Sequence, residues 1–508
     1  MGTGITNINS LGLAGLQTAQ TGMANVATNV SGAAVEGFHR RQTHPLMTSA
    51  STNPLVQGGT VIIDSIVRSY SALVSSQYLA NHAKVQQAAT MNNAAQIMDR
   101  MLVDESTGLT EVFNSFFTAA SDLSADPASG TARTAFATTS VELTDRVRNL
   151  AATIEETRRQ ALFQMSGVID AINDKAEALA RVNILIQSSS AYGKPLPSAD
   201  LLDERDRLSG QLTDLVGATI DTSDLGQASL RFDGLMLVEG GQAARLEVDR
   251  DQDGLPTGLI KVALPRGEEN RNEKLTFVAA LRGSGVVGGE FGGLMRYAEG
   301  AEDWLKRLDN FALSFAKFGD PYNFPAEGVE AAQWYTKQSD GASLLELGNY
   351  DDTGELTSPG MFRVDADGYE QSADGDITVL VRSLRPSLTF RSNMTNGTMV
   401  PWSTDPDPQS SVDQSFVMRV AGGRSSLMRE WSDWVSGVSS DLSKWRAEEA
   451  SFTAVHVSLD EQREQISGVD LDQEATDLLR FQQLYQANSS VIQAAMRMFD
   501  VLMSTTSR

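Results

Sequence analysis

Apolar positions recur every seven residues at both ends of the chain. Toward the C-terminus Leu471, Leu478, Tyr485, Ile492 and Phe499 keep that interval, with Ala475, Met496 and Met503 on a flanking track. Toward the N-terminus Ile5, Gly12, Ala19 and Val26 repeat it, and Leu16, Met23 and Val30 fill a second track. A seven-residue apolar repeat is a helix seam that needs a partner. Terminal segments fray unless something buries them. The pattern therefore predicts two amphipathic helices, over residues 5–30 and 471–503, written for assembly rather than chemistry.

Between them the pattern changes twice. The β-branched run Val61-Ile62-Ile63, after Asn53-Pro54 and Gly58-Gly59, predicts a short strand. Residues 69–100 carry no Pro or Gly and are rich in Ala, Gln, Asn and Met, which predicts a long helix. A second helix over 110–124 sets Val112, Phe113, Phe116, Phe117 and Ala120 on one side and is broken by Asp126-Pro127. A third, over 129–188, is long enough to require neighbours for its stability. Pro195 and Pro197 close that run, and a short helix follows over 199–216.

From Gly217 to Gly289 short apolar runs alternate with turns, as in Leu235-Met236-Leu237-Val238 and Leu259-Ile260-Lys261-Val262, so a small β domain is predicted. A helix returns over 291–317, with Leu294, Leu305, Leu308, Phe311, Ala312 and Phe315 on its apolar face. Residues 320–423 are rich in Pro, Gly and Asp and read as a second, less regular β insertion. Helix resumes at Ser426, where Trp431, Trp434, Val438, Leu442, Trp445 and Phe452 keep near-helical spacing, and one break is expected at Ser467-Gly468.

The order gives a fold class that is mainly α with inserted β domains: a discontinuous terminal coiled coil plus a helical-bundle stalk, with small all-β domains projecting from the middle. The expected division is 1–66 with 465–508 for the terminal coiled coil and 67–216, 290–319 and 425–464 for the bundle. Residues 217–289 form the first β domain and 320–424 the second.

Composition narrows what such a chain can do. With 508 residues, 41% hydrophobic and 21% charged, it is globular and too long for one core. Its 41 basic and 65 acidic side chains leave a formal charge of −24, which argues against nucleic-acid or anionic-membrane partners. There is no cysteine, so thiol catalysis, thiolate metal sites and disulfides are excluded. No apolar run of about 20 residues predicts a membrane span. Residues 1–10 lack the basic start of a signal peptide, which implies a cytoplasmic protein or export without a cleaved signal.

Candidate chemistry is thin. His39, His44, His82 and His456 have no metal-binding spacing. Asp249-Arg250-Asp251-Gln252-Asp253-Gly254 begins like a calcium loop, but its twelfth position is Ile260 instead of Glu, so an acidic turn between strands is expected. Asp365-Ala366-Asp367-Gly368 and Ala373-Asp374-Gly375-Asp376 read as hairpin turns. The glycines from Gly283 to Gly293 lack the Lys-Ser/Thr of a phosphate loop and read as the lead into a helix. No nucleophile, base and orienting residue stand together; no catalytic, cofactor or metal site is expected.

Two terminal motifs carry a family resemblance. Asn25 to Arg40, with Asn29, Gly37, Phe38 and Arg40, resembles the N-terminal motif of flagellar rod, hook and hook-associated proteins. The run from Gly468 through Leu479-Arg480-Phe481-Gln482-Gln483-Leu484-Tyr485 resembles their C-terminal motif. In the interior, Leu201-Leu202-Asp203-Glu204-Arg205-Asp206-Arg207-Leu208 resembles a segment of the flagellar hook-associated protein 1 family, which forms the hook-filament junction. The chain departs from the family pattern at Ala34-Val35-Glu36 and again after Lys317.

That resemblance implies a non-enzymatic structural protein exported through the flagellar type III channel. It implies four partners: copies of itself in a ring, the hook protein, a second junction protein, and a cytoplasmic export chaperone on the C-terminal helix. It places the protein outside the cell, in the flagellum at the hook-filament junction. Ile5, Leu16, Ala19, Met23, Val26, Leu471, Leu478, Tyr485, Ile492 and Phe499 are the expected partner-helix residues. Another axial protein, such as a hook protein or the second junction protein, is the nearest alternative; a secreted enzyme with its site in 320–424 is the distant one.

Overall fold

The structure is a computed structural model that describes residues 2–35, 37–49, 59–103, 108–126, 129–191, 198–232, 234–250, 254, 256–263, 277–281, 288–318, 334–339, 342–350, 356–364, 369–371, 377–379, 384–386 and 420–506. It is mainly helical, with small antiparallel sheets in the middle of the chain.

The first helix, α1 (Gly2–Gly32), lies antiparallel to the last, α8 (Leu471–Thr506): Gly12 meets Ile492 while Gly22 meets Phe481. A hairpin of β1 (Arg41–Ser49) and β2 (Gly59–Arg68) rests on α1. Only its second strand was expected. Pro45 argues against a strand in β1 because it cannot donate to a ladder. The structure places it where the register slips between His44 and Pro45.

The helical body contains α2 (Ala72–Val103), α3 (Leu109–Ala125), α4 (Gly130–Ala191), α5 (Ala199–Val216), α6 (Gly289–Phe318) and α7 (Arg424–Ser467). α3 buries Val112, Phe113, Phe116, Phe117 and Ala120, its apolar face. Phe113 stands edge-on to Phe311 at 5.6 Å and to Phe315 at 6.1 Å, which ties α3 to α6. Trp431, Trp434, Val438, Leu442 and Trp445 of α7 are all buried. Trp434 Nε1 donates to the Trp304 carbonyl of α6 at 3.0 Å, and Trp304 Nε1 donates in turn to Asp441 of α7 at 3.1 Å.

The first β insertion leaves and rejoins the body at one point. α5 starts on the Ser198 cap and ends at Gly217, whose φ of 68° and N–H bond to the Thr213 carbonyl make a left-handed stop. A Cβ there would lie 2.6 Å from Gly288 Cα, so the outgoing and returning strands cross where only glycine fits. Between them stand the sheets β3 (Thr219–Thr222), β4 (Ala228–Phe232), β5 (Leu235–Glu239), β6 (Gln242–Ala243) and β7 (Arg245–Arg250), β8 (Pro256–Ala263), β9 (Phe277–Leu281).

Two asparagines of α4 moor them. Asn183, fully buried, donates to the carbonyls of Ala228 and Gly240 and accepts from the Ala228 N–H at 3.0 Å. Asn173 makes the same two-point pair with Leu246, at 2.9 Å in both directions. A side-chain amide thus satisfies a strand edge that would otherwise be exposed.

Of the expected acidic turn, Asp249 and Arg250 end β7, with Asp249 bonded to Lys261, while residues 251–253 lie outside the described residues. The second insertion contributes β10 (Trp334–Ser339), β11 (Ala342–Tyr350), β12 (Leu356–Val364) and β15 (Leu384–Pro386) in one sheet, and β13 (Tyr369–Gln371) with β14 (Ile377–Val379) in another. The Asp-Gly turns at 365–368 and 373–376 and the glycines 283–285 lie outside the described residues. Among the described residues no helix is long and apolar enough to cross a membrane, and no group of His, Asp and Glu is arranged to hold a metal ion.

Candidate assembly interface at the paired termini

The seam between α1 and α8 is built from small residues on one side and larger ones on the other. On α1 the inward line is Gly12, Gly15, Ala19, Gly22 and Val26, with Ala19 completely buried. A Cβ on Gly12 would sit 2.6 Å from Ile492 Cγ1, and one on Gly22 2.5 Å from Phe481 Cδ1. Facing them on α8 are Phe481, Asn488, Ile492 and the buried Ala495. Small residues let the two backbones approach until larger knobs fill the gaps.

The predicted seam residues divide accordingly. Ala19 and Val26 are buried; Leu16, Met23, Leu478 and Ile492 are half-buried. Leu471, Tyr485 and Phe499 are exposed at 56%, 38% and 51%. Ile5 lies in α1, with its side chain outside the described set. Of the expected flanking tracks, four residues on from the heptad, Leu16 and Met23 are half-buried, whereas Val30, Ala475, Met496 and Met503 are exposed. A track three residues on is better covered: Gly22 and Asn29 on α1 and Glu474 and Ala495 on α8 are buried, and Gly15, Phe481 and Asn488 are half-buried. Apolar character singles out Met496 and Met503; what decided against them is the smallness of the opposite helix.

The motif residues gather at the other end of the pair. Asn29 grips the start of the hairpin: its amide donates to the Arg41 carbonyl and accepts the Arg41 N–H, both at 2.9 Å. Gly37, with φ of 79°, turns the chain beside Arg207. The Phe38 ring lies under Gly32, with the Arg41 guanidinium 5.1 Å over it.

Beyond that turn, basic side chains meet the acidic ones of α5. Arg68 reaches Asp203 at 2.8 Å and Asp206 at 2.9 Å. Arg41 reaches Asp200 at 2.5 Å and Asp203 at 3.4 Å, and His39 Nδ1 lies 3.0 Å from Asp203. Burial pushes the Asp203 carboxyl up, but the bonds from His39 and Arg68 and the Arg68 charge outweigh it and hold it below the usual carboxylate value. Arg205, nearly buried, bonds Asp206 and the Gly226 carbonyl, linking α5 to the first β insertion. Leu202 packs on the body core.

Arg40 points the other way. It bonds Glu474 of α8 at 2.7 Å, and Glu474 is only 1% exposed. Gly468 ends α7, its N–H bonding the Glu464 carbonyl. Arg480 and Gln482 are exposed, whereas Phe481 fills the notch at Gly22. Sequence reasoning missed Glu474, Arg41 and Arg68. The available signal was a carboxylate on a seam track, where charge is expensive unless paired.

Comparison with known proteins agrees with this architecture. Residues 95–318 match the family described as flagellar hook-associated protein FlgK helical domain, and residues 461–505 match the flagellar basal body rod FlgEFG protein C-terminal family. Flagellar hook-associated protein 1 of Salmonella typhimurium is 23% identical over 560 aligned positions, covering 97% of this chain and 98% of the relative. That of Escherichia coli K12 is 24% identical over 550, with the same coverage. The structure of the hook junction protein FlgK from Burkholderia pseudomallei superposes with a TM-score of 0.53 at 14% identity, over 77% of this chain and all of that one, a likeness of fold.

These similarities set the paired terminal helices, and the helical body with its inserted sheets, among flagellar proteins. Within that class the chain is similar to flagellar hook-associated protein 1 along nearly its whole length, and its central helices match that protein's helical-domain family. It is a structural, hook-associated component of the flagellum that associates with other flagellar components.

Proposed function

We propose that this protein is the adaptor that joins hook to filament, exported through the flagellar type III system and built into the hook tip as a ring of identical subunits. The carrying observation is the outward side of α8. Leu484, Val491, Met498 and Val501 are 40%, 43%, 46% and 64% exposed although α1 already covers the inner side. Apolar surface left over after intramolecular pairing marks a site for further partners. α1 strengthens the reading, because its 31 residues include no Asp, Glu, Lys or Arg. Copies of an otherwise acidic chain can meet there without like-charge repulsion.

In this reading the α1–α8 pair packs against neighbouring copies, the hook protein lies on one side of the ring and a second junction protein on the other. Before export a cytoplasmic chaperone covers α8, with Leu478, Tyr485, Ile492 and Phe499 as anchors. The terminal pair, the helical body and the two β insertions are the working domains, and the protein carries no catalytic site. Deleting residues 471–508 is expected to abolish incorporation at the hook tip, seen by immunogold labelling of hook-basal bodies, while the body stays folded by circular dichroism. A truncated chain that still assembled a filament-bearing junction would overturn the proposal.

A further inference from the structure

The helices α7 and α8 are separated by three non-helical residues, Gly468, Val469 and Asp470, so the chain bends between body and terminal pair. Local bonds finish each helix without relating one to the other. The Gly468 N–H closes α7 on the Glu464 carbonyl, and Asp470 Oδ1 accepts the N–H of Asp472 at 2.9 Å to open α8. Arg40 touches both sides of the bend. Its N–H donates to the carbonyl of Ser467, the last residue of α7, at 2.9 Å. Its guanidinium bonds Glu474 Oε1 in the first turn of α8 at 2.7 Å and lies 3.7 Å from Asp477. Its carbonyl accepts the Ser69 N–H at 2.8 Å, just ahead of α2.

The extended backbone explains how one tripeptide does this. Successive side chains of an extended segment point to opposite sides. His39 and Arg41 therefore reach Asp203 on α5, within the body, while Arg40 reaches α8. The pair is also buried, at 13% and 1% side-chain exposure, and a buried charge whose partner swings away is left uncompensated. That penalty opposes any change of angle.

We propose that Arg40 is the positioning residue that sets the angle between the terminal helix pair and the body, and that it does so within a single subunit before any neighbour binds. The use of that angle rests on the junction reading; the angle itself does not.

The absence of cysteine makes the test direct, since two introduced thiols carry the only labels. Ala450→Cys on α7 and Gln493→Cys on α8, both exposed, place spin labels on either side of the bend in the dilute full-length chain. Electron-electron resonance should give one narrow distance distribution. Arg40→Ala, which keeps the backbone bonds, should widen it about twofold, as expected when a hinge loses its lock. Glu474→Gln, a neutral residue of equal size, should widen it too, with helix content unchanged by circular dichroism. Exchanging the charges, Arg40→Glu with Glu474→Arg, should narrow it again. A broad distribution in the unmutated chain, or an unchanged one in Glu474→Gln, overturns the inference. Neither result bears on whether immunogold finds the protein at the junction, so the two readings fail separately.

Discussion

At the scale of single residues, close approach and buried charge dominate. Gly22 is the notch for Phe481, so Gly22→Leu must push the ring or the helix aside, and overpacking of this kind costs about 1–3 kcal/mol. The urea midpoint of the terminal pair, followed by a probe on α8, is expected to fall accordingly. Adding Phe481→Ala should recover at least part of the loss; if the double variant is as weak as the two single effects added, the notch is not what Gly22 provides. Asp203 is surrounded by His39, Arg41 and Arg68, and Asp203→Ala removes the carboxylate they share while Arg41 keeps Asp200 and Arg68 keeps Asp206, so the loss should stay below the about 3–5 kcal/mol of a buried pair broken outright. The folded carboxyl sits below its unfolded value, so its contribution is complete above the ordinary carboxylate range and is lost as pH falls through the folded pKa. An acid titration of the unmutated chain should therefore lose stability at a pH where Asp203→Ala shows a shallower slope.

At the scale of elements, the seams between helices have their own sensitivities. Where α2, α5 and α7 meet, the rings of His82 and His456 stack at 4.6 Å, His82 bonds Asp214 at 2.5 Å, and Arg463 lies 4.3 Å over Tyr78. Burial above all, then the charges of His82 and Arg463, lower the His456 imidazole; Asp460 and Asp214 oppose this without cancelling it. The unfolded chain thus binds the extra proton first, and stability declines as pH drops from the ordinary 6.5 toward the folded value. Urea midpoints at about pH 7.5 and about pH 5 should differ more for the unmutated chain than for His456→Phe. An equal difference would remove His456 from the account. The mooring of the first β insertion is a second seam. Asn183→Ala leaves the Ala228 N–H and two carbonyls without their partner, at about 1–3 kcal/mol, and hydrogen exchange over residues 219–250 should accelerate while α7 is unaffected.

At the scale of the whole molecule, charge and shape are separated. The chain carries −24 overall, yet α1 has no charged side chain and α8 none between Arg480 and Arg497. Bodies therefore repel while terminal pairs do not. Raising salt from about 0.01 M to about 1 M shortens screening from about 30 Å to about 3 Å. Self-association of the purified chain by sedimentation velocity is expected to strengthen over that range, and weakening would mean that ionic contacts drive assembly.

Much of this was legible from residue order, for a physical reason: helical periodicity is a local property. The phenylalanines of α3, the tryptophans of α7, the stop at Gly217 and the break at Ser467-Gly468 announce themselves within a few turns. So does the mainly α class with its β insertions. Other features depend on residues that meet only after folding. The strand β1 was hidden by Pro45, which is tolerable only at the register slip the folded hairpin supplies. Which flanking track of α8 is buried was settled by the glycines of α1, since apolar character alone favours Met496 over Asn488. The meeting of Arg40 with Glu474, and of Arg68 with Asp203, joins side chains that no local pattern relates. Heptads by themselves determined that each end needed a partner helix; that α1 and α8 partner each other, and which faces they turn inward, was decided by tertiary contacts, because both depend on what stands opposite.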